Sequence, residues 1–565
     1  MAAANMVSVN SSNVRHLRPP TLSYKPSMWG NIFSTYSFDN QVQEKYYEEM
    51  EALTKETGRM LMAAESTKLV ILIDKIERLG VAYHFEKEIE EKLRIIYEST
   101  KEDEGDDDDL LTVALRFRLL RQHQYAVSSD VFNKFVKEDC KWKPESHGTD
   151  VEGILSLYEA AHVRIRNEKI LDEAAKFTVD QLNHIVSASE SPIAKEKVQQ
   201  VKEKVQQALT HSIHRGLPIL NIRFYISIYE REGATDESLL KLAKLNFNFL
   251  QNIYRKELAE LTSWWDKFDL KNKLPYARDR VVECYLWGNA LRHEPQYSYL
   301  RVTVAKNMQL VSIMDDTYDN YATLEEDDLF TEILERWNLD EIDVLPDFMQ
   351  VVFRFIMSTY EDFVVDAEKN GKSFVVPYYR ETVKQLGRAY NKEQKWIMER
   401  KMPGFEEYMT NSVITSCMYV MFTSLVPGMK SVDEEAVQWL LGEPKIVIST
   451  AKMGRTLEDL GSHERENREG KMATVVDCYM NDKGVSKQDA IIEFVELVEN
   501  GWKDVTAEWA KGSSSVPKEL VELLLNYGRI AEITYNNKED GYTDPEKYWG
   551  PLIAALYVDP IPLHI

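Results

Sequence analysis

The sequence predicts an all-α protein of two domains, and three observations carry that prediction. Apolar residues recur at helical spacing along most of the chain. No segment sustains the apolar–polar alternation of a half-exposed strand. The chain has 565 residues, 44% of them apolar, enough for two cores given that domains of roughly 100–200 residues are usual.

Taken in order, the first ~25 residues are polar and carry Pro19 and Pro20, so they read as loop or extended chain. Leu69, Leu72, Ile73 and Ile76 then follow the i, i+3, i+4, i+7 pattern of a helix. Ser66 or Thr67 is its expected cap and Gly80 its stop. Glu102–Asp109 is a run of acids broken once by Gly105, and reads as a solvated loop. Its end, Asp106–Asp109, formally fits a DxDD pattern, but any acidic pattern matches inside such a run. Gly233-Ala234-Thr235-Asp236 is a turn-like break, and a new helical run starts near Leu239. A domain boundary near residues 230–247 follows, with no long linker and no internal repeat of 20–50 residues.

Charge excludes several classes of function. Acidic residues number 93 against 69 basic ones, a net charge of −24. That is the wrong sign for nucleic acid or for an anionic membrane surface. An anionic substrate must then be held by metal ions and a few placed arginines. Cys140, Cys284, Cys417 and Cys478 are scattered and form no CxxC pair. This reads as a reduced, cytosolic protein without a zinc or disulfide framework. The N-terminus lacks the apolar core of a secretory signal and is short and weakly basic for a transit peptide.

The chemistry-bearing segment is Asp315-Asp316-Thr317-Tyr318-Asp319. Leu310, Val311 and Met314 precede it at helical spacing, and Thr323 with Glu326 fits a capping box opening the next helix. The first helix must therefore end near Tyr321. Asp315 and Asp319 share one face, and Asp316 lies ~100° round. Carboxylates at a helix C-terminus are disfavoured by its partial negative charge. Mg²⁺ is the natural compensating partner, being hard and oxygen-seeking. A merely solvated acidic helix end is the competing reading.

A second stripe, Glu458, Ser462 and Glu466, falls at i, i+4, i+8 after Pro444, which suits a helix start. These are oxygen ligands on one face, ~6 Å apart. An exposed charged face is the alternative, with Arg465, Arg468 and Lys471 close by. Arg278 and Arg280 flank Asp279, and Arg455 precedes Glu458 by three residues. Guanidinium groups match phosphate bidentately. Two acidic stripes and these arginines together make a trap for diphosphate.

These residues resemble plant class I terpene synthases of the cytosolic sesquiterpene type. The resemblance runs from about Arg18 to the C-terminus. It includes Arg18-Pro19, the Tyr24–Trp29 stretch, Leu72-Ile73-Asp74-Lys75-Ile76-Glu77-Arg78-Leu79-Gly80, and Leu115-Arg116-Phe117-Arg118-Leu119-Leu120-Arg121-Gln122. It continues with Arg278-Asp279-Arg280, the aspartate motif and Asp540-Gly541-Tyr542-Thr543. Arg18 is followed by Pro19, with ten residues before Trp29, unlike the paired arginines and eight-residue spacing of the plastid branch.

The resemblance implies an N-terminal lid over 1–30, a non-catalytic N-terminal α-barrel relic over 31–246, and a catalytic domain over 247–565. It implies three Mg²⁺ ions, with Mn²⁺ as a substitute, bound by Asp315, Asp316, Asp319, Glu458, Asp459, Ser462 and Glu466. It implies that Arg278, Arg280, Arg455, Asp315, Asp319 and Thr415 bind a prenyl diphosphate, farnesyl diphosphate foremost. Trp287, Tyr535, Asp540 and Tyr542 are the expected catalytic groups, and Thr415-Ser416-Cys417 falls where the family breaks a helix. One departure stands out: the family opens its second stripe with Asn or Asp, whereas this chain has Glu458. Geranyl diphosphate, or an acyclic or alcohol product, remains an alternative within the class. A catalytically degenerate helical partner protein is the alternative outside it.

Overall fold

A computed structural model describes residues 15–19, 24–99, 109–137, 141–142, 150–187, 195–232, 235–469, 474–512, 516–535 and 539–563. Among these the fold is helical, and the one β feature is an isolated bridge between Val136 and Trp142. The helices are α1 (Asn40–Ala63), α2 (Ser66–Arg78), α3 (Glu86–Ser99), α4 (Leu110–Gln122), α5 (Val151–His162), α6 (Lys169–Ser187), α7 (Lys195–Thr210), α8 (Pro218–Glu230) and α9 (Glu237–Asp266). They continue as α10 (Leu270–Lys273), α11 (Val281–Leu291), α12 (Ser298–Asn320), α13 (Leu324–Arg336), α14 (Asp347–Lys369), α15 (Val376–Met398), α16 (Phe405–Thr415) and α17 (Met418–Leu425). The last are α18 (Glu434–Leu441), α19 (Lys445–Glu469), α20 (Val475–Lys483), α21 (Lys487–Ala510), α22 (Lys518–Thr534) and α23 (Trp549–Tyr557).

Contacts divide the chain into two compact units that a single cut near residue 246 does not reproduce. One comprises Ser37–Arg255, Glu499–Ile533 and Leu552–Ile565; the other comprises Met1–Tyr36, Lys256–Val498 and Thr534–Pro551. The C-terminal stretches thus return to the unit built by α1–α8, a closure that no local sequence signal announces.

In that unit the two apolar motifs of the resemblance are structural. Arg118, buried at 1% exposure, pairs with Asp74. Arg121 pairs with Glu168 and donates to the Val127 carbonyl at 2.7 Å. Leu69, Ile73 and Ile76 are buried as their spacing predicts. The cap of α2 is a correction: Glu65 occupies the N-cap, without a side-chain cap bond, and Ser66 is already helical. Gly80 ends the element at φ +74°, where an added Cβ would sit 2.3 Å from Ile222. Only glycine meets both demands. Asp109 caps α4 by accepting from the Thr112 amide at 2.8 Å, so the end of the acidic run serves a helix terminus. Asp106–Asp108 lie outside the described residues.

In the other unit, α11 packs on α12, α12 on α14, α15 and α17, and α16 on α19 and α20. A Cβ at Gly288 would lie 2.4 Å from the Arg301 carbonyl oxygen, which shows how closely α11 and α12 approach. Glu257 anchors that contact, accepting from Arg301 at 2.7 and 2.9 Å and from Tyr285 at 2.6 Å. The stretch Phe405–Gly428 is apolar and long enough to cross a membrane, but 83% of its 18-residue apolar window is buried within the protein. It is a core segment, broken into α16 and α17.

The N-terminal chain belongs to this unit. Arg15 pairs with Asp328 at 2.5 Å, and His16 with Glu325 at 2.6 Å. Arg18 donates to the Tyr321 carbonyl at 2.8 Å and to Glu326 at 3.0 Å, with its guanidinium over the Tyr321 ring. Trp29 donates to Glu283 at 2.9 Å. Residues 15–18 therefore grip the junction that follows the aspartate motif.

Candidate functional site

The α12 helix runs through the motif and stops at its C-cap Tyr321. The expected capping box is present: Thr323 Oγ1 accepts from the Glu326 amide, and Glu326 accepts from the Thr323 amide at 2.9 Å. The three aspartates therefore crowd the last turns of α12. One carboxylate oxygen from each of Asp315, Asp316 and Asp319 lies within 4.8 Å of the others.

Arg278, just ahead of α11, neutralises this cluster. Its Nη2 lies 2.7 Å from Asp315 and 3.0 Å from Asp316. Its backbone N–H and Nε donate to Asp316 at 2.7 and 3.2 Å. Asp316 is wholly buried, and burial pushes its carboxyl above the usual range while Arg278 pulls it back. The rings of Tyr24 and Tyr542 flank the guanidinium at 5.4 and 5.2 Å. Arginine between two aromatic faces and two carboxylates is held in one orientation.

The second stripe lies on α19. Glu458 lines the same cavity as Asp315 and Asp319 and sits 3.3 Å from Arg455 Nη1. Ser462 is 1% exposed, and its hydroxyl has no partner among the described residues. A buried hydroxyl without a partner calls for a ligand or ordered water. Glu466 is on the helix, but its side chain lies outside the described residues. Carboxylates on two helices plus an orphaned hydroxyl form an oxygen-only donor set that fits Mg²⁺.

Asp459, beside this stripe, is engaged within the protein. It is wholly buried, and Oδ2 accepts from the Tyr408 hydroxyl at 2.9 Å and the Val475 amide at 2.8 Å. Its Oδ1 lies 2.9 Å from Arg455. The ~100° offset from the stripe turns it toward α16 and α20. There it fixes Arg455, whose Nη2 also donates to the Tyr408 hydroxyl at 2.9 Å.

Arg280 is held in a different way from Arg278. It is 1% exposed, and its guanidinium donates to the carbonyls of Lys25, Tyr542 and Thr543 at 3.0–3.3 Å. It ties the N-terminal chain to the loop after α22. Asp540 shapes that loop. Its Oδ1 accepts from the Tyr542 and Thr543 amides at 3.0 and 2.9 Å, and Oδ2 from Arg465 at 3.1 Å. With both oxygens engaged it holds the turn that carries Tyr542.

Tyr535, Asp540 and Tyr542 all line the cavity. Trp287 is 7% exposed and packs 6.4 Å from Trp549. The helix break falls where expected: α16 ends at Thr415, and Cys417 takes φ +62° before α17 begins. Thr415 donates to Glu393 at 2.9 Å, and Asn411 does so at 3.2 Å. Tyr24 and Arg465 also line the cavity, as do Tyr390, Glu393 and Gln394, which no sequence motif marks. On α15 the only available signal was the stripe Tyr390, Glu393, Gln394 and Ile397, which at helical spacing resembles any buried face. The cavity holds about 100 Å³. Ligand sites usually hold ~300–1,000 Å³.

Comparison with known proteins agrees with this geometry. Residues 266–504 match the model of the terpene synthase family, metal binding domain, and residues 28–209 match that of the terpene synthase N-terminal domain. Gamma-cadinene synthase from Ocimum basilicum is 52% identical, covering 97% of this chain and 99% of the relative. Tau-cadinol synthase from Lavandula angustifolia is 49% identical, covering 96% and 98%. Isoprene synthase from grey poplar leaves (Populus x canescens), solved in complex with three Mg²⁺ ions and dimethylallyl-S-thiolodiphosphate, superimposes with a TM-score of 0.85 at 32% identity, covering 92% of this chain and 97% of that one. With Asp315, Asp319 and Glu458 lining one cavity and relatives matched from end to end, the chain belongs to the terpene synthase family.

Proposed function

We propose that this protein is a sesquiterpene synthase, ionising farnesyl diphosphate and cyclising or rearranging the carbocation to a sesquiterpene hydrocarbon or alcohol. The observation that carries this reading is a single cavity lined by Asp315, Asp319 and Glu458, with Arg278 and Arg455 in its wall. The full-length likeness to synthases of gamma-cadinene and tau-cadinol supports a sesquiterpene product.

Three Mg²⁺ ions, or Mn²⁺ in their place, held by Asp315 and Asp319 on one side and Glu458, Ser462 and Glu466 on the other, would neutralise the departing diphosphate. Arg278 and Arg455 donate to its oxygens, and the low-dielectric surroundings strengthen each contact. Asp316 and Asp459 hold those two arginines in place. The faces of Trp287, Tyr535, Tyr542 and Tyr24 stabilise positive charge on the hydrocarbon by ~0.5–2 kcal/mol each. Arg280 and Asp540 keep the N-terminal chain and the Tyr542 loop closed against water. Residues 247–565 carry this chemistry, residues 31–246 act as a scaffold, and residues 1–30 act as a lid. Cys284, Cys417 and Cys478 are free thiols, in keeping with a cytosolic location.

The test is purified protein with Mg²⁺ and each of the C10, C15 and C20 prenyl diphosphates, products read by gas chromatography–mass spectrometry. Cyclic or rearranged C15 products are expected, and Asp315→Ala abolishes them. A folded protein that forms nothing from any of the three would end the enzymatic reading.

A further inference from the structure

Gln394 is a large polar side chain in a place that gives it nothing to bond. It lies on α15, one turn from Tyr390, and is 1% exposed. Neither its Nε2 nor its Oε1 has a hydrogen-bond partner among the described residues. Yet it lines the cavity together with Asp315, Asp319, Arg455 and Glu458. A buried amide left unpaired bears the full desolvation penalty of a donor and of an acceptor, whereas Met or Leu would fill the same space without it. Such a group needs a partner that arrives with a ligand.

The surrounding charges narrow what that partner is. Carboxylates accept only and guanidinium groups donate only, while a carboxamide offers both. Its neighbour Glu393 faces the cavity already bonded to Thr415 and Asn411. Both bonds fall on Glu393 Oε1, whereas Gln394 is the cavity-lining α15 side chain with neither polar atom bonded among the described residues. The ligand chemistry that suits a donor and an acceptor beside two acidic stripes is a diphosphate with its hydrated divalent cation: Nε2 meets a phosphate oxygen, and Oε1 meets a bound water.

We infer that Gln394 is a diphosphate-binding residue, engaging the anionic head of the substrate only in the ligand-bound state. This rests on the proposed function and adds to it a contact outside the acidic stripes and arginines.

The test compares wild type, Gln394→Met and the isosteric Gln394→Glu. Inorganic pyrophosphate binding in excess Mg²⁺ is measured by calorimetry, and free-protein melting is measured separately. Gln394→Met is expected to melt no lower than wild type while binding pyrophosphate about ten- to a hundredfold more weakly, the loss of a charge-assisted hydrogen bond. Gln394→Glu, which loses the donor and adds a like charge, binds more weakly still, and KM for the prenyl diphosphate rises with it. If wild type binds no Mg²⁺-pyrophosphate, the functional reading itself fails. If wild type binds and both variants bind equally well, only the role of Gln394 is overturned. A changed ratio of alcohol to hydrocarbon product at unchanged pyrophosphate affinity also overturns it, since Gln394 would then hold a quenching water.

Discussion

Replacing Arg278 by Ala separates a counter-ion of the aspartate cluster from an incidental neighbour. The guanidinium contacts Asp315 at 2.7 Å and Asp316 at 3.0 Å, and Asp316 is wholly buried. Removing one partner of a buried pair costs ~3–5 kcal/mol because the other charge stays uncompensated. Asp316 keeps the backbone N–H of residue 278 at 2.7 Å, which places the loss toward the low end. At ~2–4 °C per kcal/mol, the expected fall in melting temperature in EDTA is ~6–12 °C. Millimolar Mg²⁺ restores positive charge to the cluster and shrinks that fall. Without Arg278 the Asp316 carboxyl rises further above its ordinary value, since burial then acts unopposed. A raised folded pKa means stability is full below the ordinary carboxylate range and is lost as pH rises, so the deficit is smaller at about pH 5 than at about pH 8. Differential scanning calorimetry in EDTA and in Mg²⁺ at both pH values reads this. A melting loss equal under all four conditions would refute the reasoning.

Three further outcomes follow from the geometry. Asp459→Asn is expected to cost ~3 kcal/mol of stability by unpairing Arg455, while shifting the Mg²⁺ requirement far less than Asp315→Ala. A large Mg²⁺ shift without a melting change would restore Asp459 as a ligand. Glu458→Asp withdraws the carboxylate by ~1.5 Å and opens its contact with Arg455. Higher turnover at low Mg²⁺ is expected, and identical Mg²⁺ titrations would show that the extra methylene is harmless. In the other unit, burial and then Arg215 hold His162 down to about 3, and burial holds His214 well below its ordinary value. Their stabilisation is lost as pH falls below about 6.5. Glu159, pushed up to about 7 by burial, works in the opposite sense, gaining as pH falls through that value. His162→Asn, with an amide that can still donate to the Tyr158 carbonyl, is expected to move the acid-unfolding midpoint to lower pH by circular dichroism. An unmoved midpoint would exclude His162 as a source of acid lability.

Much of the site was legible because it is local. Asp315 and Asp319 share a face through helical spacing, and the capping box at Thr323 and Glu326 marked the helix end. The break at Thr415-Ser416-Cys417 came from the family resemblance, and its hydroxyl-rich sequence suits one, because such side chains compete for backbone hydrogen bonds. What spacing could not tell was which direction a side chain takes relative to its neighbours. Asp459 and Glu458 are adjacent and equally acidic; one faces the cavity, and the other anchors Tyr408, Val475 and Arg455. Arg278 and Arg280 flank one residue, yet one meets carboxylates and the other backbone carbonyls. Gln394 carried no signal, since a glutamine in a helix is ordinary, and Tyr24 was marked only as the start of a stretch that carries the family resemblance.

The sequence by itself determined the helical class, the acidic stripe on each of two helices and the arginines that precede them. These depend on periodicity and on contacts within about a turn, where helix geometry dictates the neighbour. Tertiary structure alone decided that Glu458 of the second stripe opens on the same cavity as Asp315 and Asp319, that the C-terminal stretches rejoin the N-terminal unit, and which polar groups are satisfied. Those outcomes depend on packing between residues hundreds of positions apart. Whether a buried carboxyl, hydroxyl or amide finds a partner there is a property of the assembled fold and not of any segment.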